Sequence, residues 1–269
     1  MKTSIKTIIL AAASIFSAMS CQKEAAVPET QSPENAGETI QVNINASLGD
    51  LVAADGTKAT ATSVVRLQWE DGDKVDAYSG TTKISGTDGL TVTPSENGIF
   101  AKLTGEITTT DLTSGTSVIT FIYSNGCTVS DDGLTFDFTN QTKTGGIPFV
   151  AYATLVYDGT ATLTGKMVEF KFATSVMKIA ATNLGGGTIS TATISGINTE
   201  VTLTPDAGSE TCGIAGSNKS KITKTAGIDA SSDGTRAIIT VGLVPDNNKG
   251  RNIAIRQTGY TNKGVITTT

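Results

Sequence analysis

The densest group of residues able to do chemistry lies between Glu70 and Asp76, where four of seven residues are Asp or Glu. Carboxylate oxygens suit calcium, which takes about six to eight oxygen ligands. The spacing is not that of an EF-hand loop, and a strand–turn–strand unit explains the segment better. We therefore predict a turn with Trp69 and Val75 buried and the acids exposed, and no metal site. Calcium binding is the alternative.

Catalytic groups are scarce in the rest of the chain. The sequence contains no histidine, which excludes a Ser-His-Asp triad, a Cys-His pair, an imidazole general base and a His-containing zinc site within this chain. A hydrolase that uses carboxylates alone stays open. No feature selects one pair among the 25 acidic residues, and residues 131–133, Asp-Asp-Gly, have the composition of a turn. We predict no enzyme activity, no catalytic residue and no cofactor.

Tyrosine and cysteine side chains are the remaining candidates. An aromatic platform for sugars could form around four tyrosines, although in a chain with 5% aromatic residues core packing explains most of them: Tyr78, Tyr123, Tyr152 and Tyr157. Cys127 and Cys212 lie far apart and show no Cys-x-x-Cys or metal-ligand spacing. We expect them to be two free thiols; a disulfide, which export would permit, is the alternative.

The charge balance excludes another class of partner. The chain has 20 basic and 25 acidic residues and a net charge of −5. Proteins that bind nucleic acids neutralise phosphates with clustered Lys and Arg. No basic block is present in the sequence, and we predict no nucleic-acid partner.

The first 20 residues have the pattern of an export signal. Lys2 and Lys6 precede an almost wholly apolar run at 8–19, which is too short to span a bilayer because spanning takes about 20 residues. The run ends in the residues AMSC at 18–21, which resemble a bacterial lipobox. Signal peptidase would then cut before Cys21, which would carry fatty-acyl chains such as palmitate. An ordinary signal peptide with an incidental cysteine is the alternative.

Residues 22–38 are predicted to be a disordered tether. They contain two prolines, four glutamates and no aromatic residue, too little apolar surface to fold, and would span on the order of 20–25 Å. A cysteine with more than one acyl chain anchors a protein almost permanently. This layout predicts an outer-membrane protein held by a lipid anchor and exposed at the cell surface. Residues 22–24, Gln-Lys-Glu, partly match the export signal of Bacteroides-type surface lipoproteins, with a solvated charge pair as the alternative.

From residue 39 onward the sequence reads as strands. Apolar and polar residues alternate with a period of two, as at Ile40, Val42 and Ile44, and no window shows a persuasive helical period. This alternation is typical of antiparallel sheets with one buried face. Three runs are apolar on both faces and are predicted to be central strands; they lie at 118–123, 149–157 and 237–244.

Turn signals separate these runs. Asp-Gly or Asn-Gly occurs eight times after residue 50, and these dipeptides supply the positive φ angles of tight hairpins. The predicted fold is all-β, with two tandem antiparallel β-sandwiches. A single barrel or sandwich is the alternative. The predicted organisation is a lipoprotein signal peptide at 1–20, a lipidated tether at 21–38, an N-terminal sandwich at 39–160 and a C-terminal sandwich at 161–269 that ends in an edge strand.

Several segments resemble the fimbrillin family of Bacteroides-type surface lipoproteins. Members commonly show a Thr-Lys or Thr-Arg pair, a short gap, and then Trp-x-x-Gly-Asp-x-apolar leading into a strand. Here Thr57-Lys58 precedes LQWEDGDKV at 67–75. Residues 134–142 and 149–153 resemble the middle of such proteins, and residues 170–179 resemble the strand pair that opens their second domain.

The resemblance implies two transthyretin-like sandwiches in a pilus structural, anchor or tip subunit that acts in adhesion. Family pilins lose their first strand to a trypsin-like protease, and a strand of the next subunit fills the groove by β-augmentation. The strand at 40–48 would be the one removed, by cleavage after Lys58 or Arg66. An uncut lipidated anchor and a stand-alone surface lipoprotein that binds glycans or host ligands are the alternatives.

Overall fold

Strands form all of the regular secondary structure in the part of the chain that the computed structural model describes. The described residues are 39–49, 51–52, 64–65, 67–110, 112–142, 147–182, 184, 189–225, 228–245, 251–257 and 264–268. Only the backbone is described at 51–52, 64–65, 251–257 and 264–268. The predicted all-β class is confirmed. Within these ranges no helix is long and apolar enough to cross a membrane.

The strands are numbered in chain order. They are β1 (Thr39–Leu48), β2 (Leu51–Val52), β3 (Val64–Val65), β4 (Lys74–Ser79), β5 (Thr82–Lys83), β6 (Leu90–Pro94), β7 (Phe100–Thr108), β8 (Val118–Asn125), β9 (Thr128–Val129), β10 (Thr135–Asp137), β11 (Asn140–Gln141), β12 (Phe149–Val156), β13 (Thr162–Phe172), β14 (Ser175–Ala181), β15 (Ile189–Pro205), β16 (Cys212–Lys224), β17 (Ile228–Ala230), β18 (Ala237–Leu243), β19 (Arg251–Gln257) and β20 (Gly264–Thr268).

The first sheet closes on itself. Its order is β5-β4-β6-β7-β1-β13-β12-β8, and β8 pairs again with β4, so that seven strands form a ring and β5 lies outside it. Closure requires β4 to use both edges. On one edge Lys74 and Val75 pair with β6, and on the other residues 76–79 pair with β8. This closed, barrel-like sheet replaces the predicted N-terminal sandwich.

The remaining strands form two larger sheets and a small hairpin. β15 and β16 make a long antiparallel hairpin within the order β11-β16-β15-β10-β9, and β19 joins β15 to β20. A second sheet has the order β14-β18-β17, and β2 pairs with β3. β20 pairs only with β19 among the described strands, so the predicted edge strand near the C-terminus is confirmed.

Two hydrophobic cores share the strands β4, β8 and β12. On β8, Ile119 and Phe121 point into the ring and belong to the first core, whereas Ile122 belongs to the second. On β12, Ala151 faces the first core and Val150 the second. Because successive side chains of a strand point to opposite faces, these strands need apolar residues on both sides. The prediction that 118–123 and 149–157 are central strands is thereby confirmed.

Strand pairing crosses the predicted domain boundary at 160/161 in both directions. β13 lies after the boundary but pairs with β1 and β12 of the closed sheet. β10 and β11 lie before it but pair with β15 and β16. The chain from residue 35 to 269 clusters as one compact unit by its contacts. The sequence pattern marks the strands but does not show which strands become neighbours, because distant segments pair.

The tight turns form where the dipeptides predict them. In the described chain, seven of the eight glycines that follow Asp or Asn have a positive φ; the eighth, Gly56, lies outside the described residues. At 69–76 Trp69 and Val75 are buried at 3% and 0% exposure, as predicted, and the turn leads into β4. The predicted strand before the turn does not form, since residues 67–70 are irregular. Glu70 and Asp71 are exposed, whereas Asp73 and Asp76 are half-buried.

The shared strands predict that both cores unfold together. Ile119→Ala removes side-chain volume from the first core and Ile122→Ala from the second, so each variant should lose about 2–5 kcal/mol of unfolding free energy. Trp69 is the only tryptophan and lies in the first core. Each variant should therefore unfold at a lower urea concentration than the wild type. Within each variant, Trp69 fluorescence and far-UV circular dichroism should give the same midpoint.

The exposed Ile238, at 42% exposure, provides the control, since Ile238→Ala should cost less than about 0.5 kcal/mol. An Ile122→Ala protein whose fluorescence midpoint stays at the wild-type value would show that the two cores unfold independently.

Candidate functional site

The candidate site is strand β1 together with the groove that holds it. β1 pairs antiparallel with β7 over Thr39–Ser47 and parallel with β13 over Gln41–Leu48. Both edges of the strand are therefore hydrogen-bonded inside the closed sheet. Removing β1 would open the ring and leave two unpaired strand edges facing each other across a groove.

Alternate side chains of β1 fill the interior of the ring. The inward residues are between 0% and 8% exposed: Ile40, Val42, Ile44, Ala46 and Leu48. The polar residues between them face outward, and Gln41 donates a 2.6 Å hydrogen bond from Nε2 to the carboxylate of Glu106 on β7. Burying a Val, Leu or Ile side chain contributes about 1.5–3 kcal/mol. The alternation that predicts this strand is confirmed. Beyond Ile44, two more inward residues, Ala46 and Leu48, continue it.

The neighbours of β1 are shaped to receive it. On β7, Gly105 pairs with Val42, has a φ of 149°, and an added Cβ would lie 3.0 Å from the Leu90 side chain of β6. On β13, the register shifts between Asn43 and Asn45 of β1, where Gly165 has a φ of 72°. The sequence gives no signal for either glycine, because neither belongs to a turn dipeptide.

The far end of β1 is tied to both neighbouring segments. Leu48 N–H donates to the Ile99 carbonyl at 3.4 Å, and Gly49 N–H donates to the Phe170 carbonyl at 3.2 Å. An added Cβ at Gly49 would lie 3.0 Å from that same carbonyl oxygen. The chain leaves the groove at this point toward the β2–β3 hairpin.

Trp69 and the acidic turn fix the segment that follows β3 to the closed sheet. The backbone N–H of Trp69 donates to the Gly98 carbonyl at 2.7 Å. Its ring stacks on Tyr123 at a centroid distance of 4.5 Å and meets the edge of Phe170 at 5.3 Å. The segment from Trp69 onward is thus fixed to the ring by contacts that do not involve β1.

A short polar network anchors the same turn. Tyr123 donates a 2.5 Å hydrogen bond from its hydroxyl to Asp73 Oδ2, which also accepts from the Glu70 backbone N–H at 2.8 Å. Burial, followed by this hydrogen bond, raises the pKa of Tyr123 well above its usual range. One carboxylate of the acidic cluster is therefore used for structure, and among the described residues no group of three or more Cys, Asp or Glu side chains could hold a metal ion.

The three predicted modification residues lie outside the described residues: Cys21, Lys58 and Arg66. Their place in the chain can still be stated. Lys58 lies in the segment that joins β2 to β3, and Arg66 directly follows β3. Both predicted cleavage positions thus fall between the end of β1 and the anchored Trp69.

Most of the tyrosines are core residues. Tyr78, Tyr123 and Tyr157 are at most 4% exposed, so they form no surface platform, and burial raises the pKa of Tyr78 to about 12. Tyr152 is only half-buried and lines a polar cavity.

The two remaining cysteines are free thiols, as predicted. Burial raises the pKa of Cys127 to about 12 and that of Cys212 to about 11. Because the thiolate is the reactive form, both side chains stay protonated and unreactive near neutral pH.

Comparisons with solved structures find remote likenesses. The chain matches no known protein-family profile, and no curated protein is significantly similar to it. A solved candidate cell adhesion protein from Bacteroides ovatus has a TM-score of 0.45 and 14% identity, over 86% of this chain and 88% of that chain. Two candidate adhesins from the same species have TM-scores of 0.41 and 0.34 and identities of 8% and 11%. The first match covers 86% of this chain and 83% of the adhesin chain, and the second covers 83% and 74%, respectively. Likenesses this distant assign neither a function nor a specific fold to the chain.

The Tyr123–Asp73 hydrogen bond predicts a measurable contribution to stability. Tyr123→Phe keeps the stacked ring but removes the hydroxyl, and hydrogen bonds to charged groups contribute about 1.5–3 kcal/mol. Urea denaturation should show a loss of this size, and Asp73→Asn should show a smaller loss because its amide oxygen can still accept. Asp71→Asn alters an exposed acid of the same turn and should leave the free energy of unfolding unchanged. A Tyr123→Phe protein as stable as the wild type would contradict this role of the network.

Proposed function

We propose that this protein is a non-enzymatic, lipid-anchored surface protein of the fimbrillin type, a structural, anchor or tip subunit of a pilus that acts in adhesion. Its lipid would be attached at Cys21, and the tether at 22–38 would hold the folded unit off the outer membrane. In a pilus subunit that exchanges strands, cleavage after Lys58 or Arg66 would free β1. A strand of another subunit would then take its place.

The observation that carries this proposal is the seating of β1. The strand presents alternate apolar residues to the interior and bonds both neighbouring strands along its length. In β-augmentation, backbone hydrogen bonds supply affinity and pockets for alternate side chains supply specificity. The groove around β1 combines both features.

Energetics favour exchange over simple loss of the strand. An empty groove would expose the apolar interior and leave two rows of unpaired backbone groups, each costly when it is not solvated or bonded. A cut strand should therefore stay seated until a competing strand displaces it. Because donor and acceptor surfaces differ, such a contact is head-to-tail and need not close on itself, which is the geometry of a filament.

The position of the cut also fits this proposal. Cleavage at Lys58 or Arg66 would separate β1 from Trp69, and the chain from Trp69 onward is held by its own stacking and hydrogen bonds. The ring would therefore keep the rest of its strands in place while β1 is exchanged. An uncut chain would keep β1 and remain a permanently lipidated anchor or a stand-alone surface protein.

N-terminal sequencing of material from the cell surface tests the cleavage. An exchanging subunit should begin at Ala59 or at Leu67 and should form denaturant-resistant ladders on gels. Lys58→Ala should abolish the first terminus and Arg66→Ala the second, so each variant serves as the control for the other. Finding only acylated Cys21 would reject the exchanging subunit and leave the anchor form.

Peptide exchange tests the groove directly. The chain is nicked by limited trypsin digestion and incubated with a labelled peptide of residues 39–48. The peptide should be incorporated, whereas the same peptide with Ile44→Asp should be incorporated at least about tenfold less, because an unpaired buried carboxylate is strongly unfavourable. A peptide with Asn45→Asp places the same charge on the exposed face and should be incorporated like the parent. Equal incorporation of all three peptides would contradict a groove that reads alternate side chains.

A further inference from the structure

A polar cavity lies where β13 parts from β12. The two strands pair only at Ala151↔Phe172 and Tyr152↔Lys171, whereas β13 pairs with β1 from Phe170 back toward its start. The strands therefore fork, and a cavity of about 210 Å³ opens in the fork. We call this cavity the fork pocket; its lining residues are Tyr152, Ala153, Thr154, Glu169, Lys171 and Glu210.

Backbone groups of β12 face into the fork pocket. The Val150 carbonyl accepts a hydrogen bond from Ala173 N–H, which shows that Val150 directs its backbone polar groups toward β13. Backbone polar groups alternate between the two edges of a strand, so Thr154 directs its N–H and C=O to the same edge. At that level β13 has already turned toward β1, so these two groups face the cavity.

Three charged side chains surround the pocket. Glu169 and Lys171 lie on β13, and Glu210 reaches over from the connection between β15 and β16. All three side chains are exposed, and among the described residues neither carboxylate forms an ion pair. Half-buried Tyr152 adds a hydroxyl that can donate and accept, together with the carbon surface of its ring.

We propose that the fork pocket binds one neutral sugar residue. Carboxylate and carbonyl oxygens accept hydrogen bonds there, while the lysine ammonium and the Thr154 N–H donate them, which matches hydroxyl groups that do both. Two carboxylates against one ammonium disfavour an anion, and the ammonium disfavours a cation. The cavity is smaller than the roughly 300–1,000 Å³ of pockets for drug-sized ligands, so it holds a single ring.

The evidence for this site is separate from that for strand exchange. Its lining comes from β12, β13 and the β15–β16 connection, and includes no residue of β1. If no sugar binds, the proposed exchange of β1 still stands. If β1 does not exchange, the proposed sugar site still stands.

Titration of the full mature chain with single sugars tests the proposal. The probes are D-glucose, D-galactose, D-mannose, L-fucose, N-acetylglucosamine and N-acetylgalactosamine, each followed by NMR up to about 20 mM. At least one should bind with a dissociation constant in the millimolar range or tighter. Glu169→Gln and Glu210→Gln should each weaken that binding about tenfold, because each removes a charged acceptor.

Glu96→Gln is the matched control, since Glu96 is exposed and is not a lining residue; it should bind the sugar like the wild type. Circular dichroism of each variant confirms that the fold is kept, as expected for exposed positions. The proposal is overturned if none of the six sugars binds within this range, if both pocket variants bind like the wild type, or if D-glucuronate binds more tightly than D-glucose.

Discussion

Burial of β4, β8 and β12 on both faces is the constraint on which the rest of the structure depends. One face of these strands completes the interior of the closed sheet, and the other supports the core under β15 and β18. Neither core can form without them, since each would lose one wall. The sharing also explains the apolar runs of β8 and β12, which stand out in a chain of only 38% apolar residues. The other strands need only one apolar face, so their second face can be polar. Threonine is common on such faces because β-branched side chains fit a solvated sheet surface.

Closure of the first sheet gives β1 its significance. Closed sheets have no free edge for another strand to join, so a new strand can enter only if one leaves. β1 is suited to leave because the segment that follows it, before the anchored Trp69, carries both predicted cleavage positions. The strand's alternate apolar residues then define what a replacement must supply. The same pattern that builds the core thus defines the specificity of the groove.

β13 links the two proposed sites. It pairs with β1 over most of its length and turns to β12 only near Phe172. The first pairing forms one wall of the groove for β1, and the turn opens the fork pocket. Gly165, with its positive φ and the register shift beside it, lies nearer the start of β13, where that strand pairs with β1. A regular strand in continuous register with β12 would leave no cavity there, and its side chains would point outward as an ordinary sheet surface.

The sequence by itself determined the strands, the turns and the direction of the side chains. Period-two alternation placed Ile40, Val42 and Ile44 on a buried face, and Asp-Gly and Asn-Gly marked the hairpins, because both signals depend on neighbouring residues alone. The tertiary structure decided the partners. Nothing local indicates that β10 pairs with β15 in addition to β9, that Gly105 pairs with Val42, or that Glu210 lines the same cavity as Glu169. These contacts join segments far apart in the chain, so the residues around each position do not encode them, and they form only when the sheets assemble.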